Sequence, residues 1–152
     1  MEFDIIPVPE REKYLDLLLI ADEEELMVRR YIDSGEMTVF RENGDIVGEC
    51  IVIGHDDDTF ELKSLAVVPE YRLRGYGRRI IEFATDRYLH DGGRMTVGTG
   101  DAPTALRFYE RCGFVEYSRI IGFFTDNYRH TIIEAGVALK DMVMLEYCAK
   151  RK

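Results

Sequence analysis

Three arginines surround two closely spaced glycines where a predicted strand gives way to a predicted helix. They are Arg72, Arg74 and Arg78, around Gly75 and Gly77. The first N–H groups of a helix have no partner within the helix, and together with the helix dipole they favour a bound phosphate. Glycine lets the backbone approach a ligand without an intervening Cβ atom. The spacing therefore predicts a phosphate-binding loop.

Two common phosphate-binding fingerprints do not fit this loop. The dinucleotide fingerprint needs a third glycine where this chain has Arg79 or Ile80, and no Gly-Lys-Ser/Thr of a P-loop follows.

The full string is Leu65-Ala66-Val67-Val68-Pro69-Glu70-Tyr71-Arg72-Leu73-Arg74-Gly75-Tyr76-Gly77-Arg78. This string resembles the acetyl-CoA motif of the GNAT superfamily of N-acetyltransferases.

The resemblance assigns a role to each part of the string. In that family the loop amides hold the CoA pyrophosphate, and a bulge separates the preceding strand from its neighbour. It implies that Leu65, Ala66 and Val67 face the pantetheine arm and the thioester of acetyl-CoA. The N–H of Val67 is the predicted donor to the oxyanion. The predicted pyrophosphate cradle consists of Arg72, Leu73, Arg74, Gly75, Tyr76, Gly77 and Arg78.

A second segment resembles the family's signature Asn-x-x-Ala-x-x-x-Tyr-x-x-x-Gly-Phe. The matching residues are Ala105, Tyr109, Gly113 and Phe114, while Asp101 or Ala102 stands where the family has Asn. The resemblance implies that Tyr109 protonates the departing CoA thiolate. The alternative is that Tyr109 is an aromatic residue on the buried face of its helix.

The reaction that the resemblance implies also needs a general base. An alkylammonium group has a pKa near ~10.4 and must lose a proton before its nitrogen attacks a thioester. Glu61 lies fourteen residues before Gly75, where some family members carry a catalytic glutamate. It is the predicted base, and the alternative is that Glu61 is a strand residue that faces solvent.

Three residues are predicted to shape the acceptor pocket: Tyr128, His130 and Glu134. For His130 the alternative is a surface position, because a lone histidine in a loop is typical of a surface.

An acidic run, Asp22 to Glu25, has two interpretations. It could contact a cationic substrate, or it could be the solvated first turn of a helix, favoured by the helix dipole. The spacing of Asp22 and Glu25 also indicates a capping pair that restarts a helix at this point.

The elements that position these residues follow from hydrophobic periodicity. The predicted strands are Phe3–Val8, Met37–Arg41, Asp45–Ile53, Thr59–Val68, Arg94–Gly98, Val115–Phe124 and Val137–Tyr147, with helices over 11–32, 77–88 and 103–112. Asn43-Gly44 predicts a hairpin turn. This order indicates an α/β (α+β) mixed sheet with helices on both faces. The resemblance adds a mostly antiparallel sheet with a splayed parallel pair, and we expect a single domain over residues 1–152.

Composition narrows the classes of partner. The chain has 29 acidic and 20 basic residues, a net charge of −9, which argues against nonspecific nucleic-acid binding and mildly favours cationic ligands. Its three histidines are isolated, so no metal site is predicted. It has no run of about 20 apolar residues that would span a membrane. Three cysteines cannot all pair within the chain, so free thiols and a cytoplasmic location are expected.

The resemblance implies an N-acetyltransferase that moves the acetyl group of acetyl-CoA to a primary amine by direct attack in a ternary complex. The acceptor stays open among polyamines, aminoglycoside-like drugs, amino acids, and protein N-termini or lysines, with the acidity favouring a cationic small molecule. The alternative is a noncatalytic acyl-CoA-binding sensor or subunit on the same fold. The closing strands are compatible with a homodimer.

Overall fold

The computed structural model describes residues 1–150. The strands are β1 Glu2–Ile6, β2 Glu36–Glu42, β3 Asp45–Gly54, β4 Thr59–Val67, β5 Arg94–Gly100, β6 Val115–Ile120, β7 Ile133–Glu134, β8 Val137–Ala138 and β9 Met142–Cys148. The helices are α1 Leu15–Ala21, α2 Glu25–Arg29, α3 Tyr76–Tyr88, α4 Pro103–Arg111 and α5 Phe123–Asn127, with 3-10 turns at Val8–Tyr14 and Pro69–Tyr71.

Seven strands form one sheet in the order β1-β2-β3-β4-β5-β9-β6, and β7 and β8 form a separate hairpin. Every neighbouring pair in the large sheet is antiparallel except β4 and β5, which are parallel. The turn between β2 and β3 has positive φ at Asn43 and Gly44, as predicted. The predicted mixed sheet with one parallel pair is therefore confirmed.

The parallel pair separates half-way along its length. Pairing between β4 and β5 ends at Leu62 opposite Val97, although β4 continues to Val67 and β5 to Gly100. A bulge lies at the same place, because the β3 partners change from Leu62 to Ser64 and leave Lys63 as an extra residue. An extra residue bends a strand and disrupts its ladder. The bulge and the separation together open the sheet between β4 and β5.

Helices cover both faces of the sheet. Alternation along β3 turns Cys50 and Val52 towards the core that α3 and α4 complete, and it turns Ile51 towards the core beneath α1 and α2. Each large apolar side chain buried in this way contributes roughly 1.5–3 kcal/mol. The β4–β5 opening therefore lies between two well-packed cores that hold it in place.

The helix predicted over residues 11–32 is instead divided into a 3-10 turn, α1 and α2. Asp22 leaves the helical conformation, and its Oδ1 atom accepts the N–H of Glu24 at 3.3 Å. A short carboxylate that bonds nearby backbone competes with the helix in this way. The predicted Asp22–Glu25 capping pair is not formed, because the residue that precedes α2 is Glu24 and it makes no side-chain cap.

The closing strands also differ from the prediction. β6 ends at Ile120, and Gly122 at φ 71° precedes α5, although the predicted strand extends to Phe124. The strand predicted over 137–147 is divided into β8 and β9. Asp101 accepts the N–H groups of Lys140 at 3.0 Å and Asp141 at 3.3 Å between these strands. A contact from a residue about forty positions away shapes this break, so the local sequence does not reveal it.

Residues 1–150 hold three unpaired cysteines, Cys50, Cys112 and Cys148. Within the same residues, no three His, Cys, Asp or Glu side chains gather in a group that could hold a metal. None of the helices described has both the length and the apolar character that crossing a bilayer requires.

Candidate active site

A cleft of about 550 Å³ occupies the opening between β4 and β5. Its walls include Tyr31 and Ser64, from the side of the sheet that α1 and α2 cover, and Val97 and Tyr109, from the opposite side. Residues from both faces can meet only because the two strands have parted. This volume is typical of a small-molecule site.

The cleft brings together predicted residues that lie far apart in the chain. Those on its walls are Glu61, Leu65, Arg72, Tyr109, Tyr128 and Glu134. Ala66 and Val67 continue β4 beyond the lining, and the turn from Leu73 to Arg78 lies beside it. His130 lies outside the cleft walls, where its ring Nε2 is 3.0 Å from Oε1 of the exposed Glu23.

The predicted phosphate loop has the backbone of a helix N-terminus. Leu73 and Gly75 have positive φ angles, 62° and 85°, and Gly75 is the residue that precedes α3. A Cβ atom on Gly75 would meet nothing within 4 Å, so the space beside it is open. The first turn of α3 carries no acidic residue. Its free N–H groups therefore face an open space suited to an anion.

The arginines of the loop differ in how they are held. Arg78 is 3.4 Å from Glu82, one helical turn along α3. Arg72 donates from Nε to the carbonyl of Val67 at 3.3 Å, and Arg74 lies over the ring of Tyr71. Within residues 1–150, neither Arg72 nor Arg74 has a carboxylate within 4 Å. Their charges are therefore available to a phosphate.

The two glycines of the loop serve different purposes. Gly77 does not have positive φ, and a Cβ atom there would lie 2.9 Å from Cζ of Phe108 on α4. This glycine allows α3 and α4 to pack closely. The prediction that both glycines give a ligand access to the backbone therefore fits Gly75 better than Gly77.

Two N–H groups of β4 point towards the opening. The N–H of Val68 bonds to the carbonyl of Val47 at 2.8 Å, so Val68, Ala66 and Ser64 turn their backbone groups towards β3. In an antiparallel pair the residues between them turn their N–H groups the other way. The N–H groups of Leu65 and Val67 therefore face the side from which β5 has departed. The motif alone did not single out the N–H of Leu65, which faces the opening together with that of Val67.

Glu61 and Ser64 share one face of β4 because of the bulge. Three residues apart in a regular strand, they would point to opposite faces. The extra residue, Lys63, places both opposite the β3 residues of the α1 side. Oε1 of Glu61 is 2.8 Å from Nε2 of His55, and its Oε2 is 3.7 Å from Nζ of Lys63. The carboxylate at this position is thus held between two nitrogen groups.

Tyr109 fits both interpretations that the sequence left open. It belongs to the core under α3 and α4, and it also lines the cleft. Burial, with smaller contributions from the charges of Cys112 and Glu134, raises the pKa of Tyr109 well above its ordinary value. The phenol is therefore protonated at neutral pH and can donate a proton into the cleft.

The cleft walls also include Asp22 and Tyr128, which contact each other. The Tyr128 hydroxyl donates to Oδ1 of Asp22 at 3.0 Å, and burial raises the pKa of Asp22 despite that bond. Burial also raises the pKa of Glu134, and the charge of Arg72 opposes this effect. The acidic run had suggested Asp22, whereas no local pattern pointed to Tyr31 or Ser64.

A family model described as an acetyltransferase (GNAT) domain matches residues 33–116, more than half of the chain. The match includes both motifs and the β4–β5 opening. The chain belongs to the GNAT acetyltransferase family. Its membership confirms the family predicted from the two motifs.

Relatives of this GNAT chain agree with the assignment. It is 27% identical over 136 residues to an uncharacterized N-acetyltransferase, YvbK of Bacillus subtilis (strain 168), with 88% of each chain covered. The structure resembles an IAA acetyltransferase from Bacillus cereus ATCC 14579, with TM-score 0.86, 26% identity, and 97% and 98% of the chains covered. It also resembles a GNAT family acetyltransferase from Elizabethkingia anophelis with acetyl-CoA bound, with TM-score 0.81, 27% identity and 97% of both chains covered.

The protein is therefore an acyl-CoA-dependent N-acetyltransferase with acetyl-CoA as its co-substrate. The residues fit that co-substrate, because the loop before α3 presents free N–H groups and two unpaired arginines to an open space. The parted edge of β4 offers further backbone donors. The reaction class predicted from the two motifs is confirmed.

Proposed function

We propose that this GNAT acetyltransferase transfers the acetyl group of acetyl-CoA to a primary amine on a small cationic molecule. The observation that carries the proposal is the cleft itself, where Glu61, Tyr109 and Asp22 line one space beside the parted edge of β4. A base, an acid and an anionic anchor are the groups that acetylation of a cationic amine needs.

The donor half of the proposal concerns the binding of acetyl-CoA. The first-turn N–H groups of α3, with Arg72 and Arg74, bind the pyrophosphate. The pantetheine arm follows the β4 edge, and the N–H of Val67, together with that of Leu65, donates to the thioester oxygen. These donors stabilise the negative charge that develops on that oxygen during attack.

The chemical step uses side chains of the cleft and no enzyme nucleophile. Glu61 accepts a proton from the ammonium group of the acceptor, and the neutral nitrogen attacks the thioester carbon. A C–N bond forms, the C–S bond breaks, and Tyr109 gives its proton to the departing thiolate. Holding both substrates in one complex supplies a large part of the rate enhancement.

The proposed cationic acceptor follows from the acidic side chains that line the cleft. Asp22 lies inside the cleft with the Tyr128 hydroxyl on its Oδ1 atom, and its other oxygen stays available to an ammonium group. Glu134 also lines the cleft, and His130 contacts Glu23, another residue of the cleft wall. The net charge of −9 adds a long-range attraction for cations.

Release of CoA thiol tests the proposed function, measured with acetyl-CoA and a panel of amines. The panel contains spermidine, an aminoglycoside, free lysine, a peptide with a free N-terminus and the neutral amide acetamide as a blank. We expect amine-dependent thiol release, with dicationic or tricationic amines preferred by kcat/KM. Preference for an amine that carries an anionic group, such as glutamate, would contradict the cationic class.

The expected homodimer and cytoplasmic location remain proposals. β6 exposes all six residues at the edge of the sheet, but the register shift between Glu116 and Ser118 interrupts its ladder, a feature that hinders edge-to-edge pairing. Sedimentation velocity distinguishes a dimer from the 17.6 kDa chain. The unpaired cysteines support a reducing compartment.

A further inference from the structure

A fully buried carboxyl group lies behind the wall of the cleft. Glu49 on β3 has 0% exposure, and the Ser64 hydroxyl is 2.7 Å from its Oε1 atom. Its Oε2 atom has no hydrogen-bond partner among residues 1–150. Buried polar atoms are nearly always paired, so an unpaired carboxyl oxygen in a core needs an explanation.

Ser64 connects this carboxyl group to the cleft. Glu49 and Ser64 lie on the same face of neighbouring strands, and Ser64 lines the cleft together with Tyr31. Ser64 precedes Leu65, whose N–H faces the opening where the thioester is expected. Glu49 is therefore one hydroxyl away from the place of reaction.

The groups around Glu49 leave its charge uncompensated. The titratable side chains whose pKa values respond to the charge of Glu49 are Tyr31, on the same side of the sheet, and Cys50 and Tyr109, on the other side, and none of these three is a cation. Burial raises the pKa of Glu49 to about 8, against the opposing bond from Ser64. The carboxyl group therefore changes its charge in the range in which a general base operates.

Two protons leave the acceptor nitrogen during the reaction. An ammonium group loses one proton before its nitrogen attacks, and the nitrogen loses a second as the amide forms. Glu61 can take the first, but it is already held by His55 and Lys63. One of these two protons returns to the Tyr109 oxygen, which has given its own proton to the thiolate. The other proton leaves to solvent. A second acceptor near the thioester would complete this sequence.

We propose that Glu49 is that second acceptor and reaches the reacting nitrogen through the Ser64 hydroxyl. The nitrogen gives its proton to Ser64 Oγ, while Ser64 passes its own proton to Glu49 Oε1. The N–H bond breaks and an O–H bond forms on Glu49. Ser64 has a protonated hydroxyl both before and after the step. Glu49 is thus a positioning residue that acts through Ser64. The inference rests on the proposed function, because it concerns the same amine.

The test compares kcat/KM between pH 6 and pH 10 for the protein and four variants, with spermidine and acetyl-CoA. We expect the wild-type value to rise through a step near pH 8, because Glu49 must be ionised to accept a proton. Glu49→Gln and Ser64→Ala should lose that step and about 100-fold of the value above it. Ser64→Thr, which keeps the hydroxyl, should restore the step.

The fourth variant is a matched control from another strand. Thr38 on β2 is also fully buried with an unpaired hydroxyl, but it does not line the cleft. Thr38→Val should keep the step near pH 8. Infrared titration supplies a readout without turnover: a protonated carboxyl band should disappear near pH 8 in the wild type and be absent from Glu49→Gln.

Two results would overturn the inference, and neither coincides with failure of the proposed function. Glu49→Gln with an unchanged step and full turnover would make Glu49 a structural acid only. A carboxyl band that stays protonated from pH 6 to pH 10 would also overturn it. If acetyl-CoA binds but spermidine gives no thiol release, the proposed acceptor is wrong. The infrared band of Glu49 and its response to Ser64→Ala then still test whether Glu49 exchanges a proton with the cleft.

Discussion

The donor loop, Arg72–Arg78, and the cleft meet at β4 but draw on the chain in different ways. The loop is seven consecutive residues that run into α3. The cleft takes its walls from residues between Ile20 and Met142, contributed by both faces of the sheet. Short-range geometry specifies the loop, whereas strand separation assembles the cleft. Changes in the loop should alter binding of acetyl-CoA, and changes in the cleft should alter chemistry or choice of amine.

The largest expected effect is on the cleft side and concerns stability. Glu49 binds a proton more tightly in the folded chain than in the unfolded chain, because burial raises its pKa to about 8 from an ordinary value of 4.5. The folded state therefore holds more protons between these values, and the free energy of unfolding falls as pH rises from about 4.5 to 8. The fall should be about 3–5 kcal/mol.

Urea unfolding at pH 5 and pH 8 measures this effect. Other groups also titrate, so the difference between the wild type and Glu49→Gln isolates Glu49. The variant should lose the fall and be the more stable protein at pH 8. If the free energy of unfolding depends on pH equally in both proteins, Glu49 ionises without a cost from burial. The cleft would then not differ from the exposed donor loop in this respect.

The next effect is on the donor side. Gly75→Asp should weaken binding of acetyl-CoA about 100-fold, because it adds a negative charge at the α3 N-terminus and strains a backbone with φ 85°. Gly44→Asp is a matched control, since Gly44 has φ 87° and its Cβ would also meet nothing within 4 Å. Calorimetric titration measures both. Equal loss in the two variants would assign the effect to strain instead of phosphate recognition.

Removing the Tyr109 hydroxyl should slow the chemistry and leave the donor site intact. Tyr109→Phe should lower kcat by about 10- to 100-fold, because the thiolate loses its proton donor, while the Kd of acetyl-CoA stays unchanged. Tyr147→Phe is the control, since Tyr147 packs in the same core but lies outside the cleft. Full turnover by Tyr109→Phe, with chemistry limiting the rate, would reduce Tyr109 to a packing residue.

The smallest expected effect concerns the choice of amine. Asp22→Asn keeps an oxygen for the Tyr128 hydroxyl but removes the charge, so KM for spermidine should rise about tenfold with little change in kcat. Glu25→Gln is the control from the same acidic run, because Glu25 is exposed and bonds Arg29. An equal rise in KM for both variants would indicate that the overall negative charge of the protein attracts spermidine, without a specific contact to Asp22.

Much of the fold was predictable from local patterns. β2, β3 and β4 lie within one or two residues of their predicted ends, and alternation together with the Asn43-Gly44 turn explains why. The helix predicted over residues 11–32 was wrong because Asp22 bonds the backbone of Glu24 and leaves the helical conformation. A long-range network also fixes the chain on either side of this segment. The buried guanidinium of Arg11 donates to four backbone carbonyls, those of Ile6, Ile32, Ser34 and Gly35. Periodicity does not reveal such a network.

By itself, the sequence determined the family and the reaction class, and it predicted the donor loop. Arginines and glycines at fixed spacing before a helix specify a phosphate site, because the groups that bind the ligand are consecutive in the chain. Only the tertiary structure decided which side chains share the cleft. The bulge at Lys63 turns Glu61 and Ser64 to one face, and the loss of pairing after Leu62 opens the sheet beside them. The burial of Glu49 depends on helices packed from both sides, and packing of that kind has no local signature in the sequence.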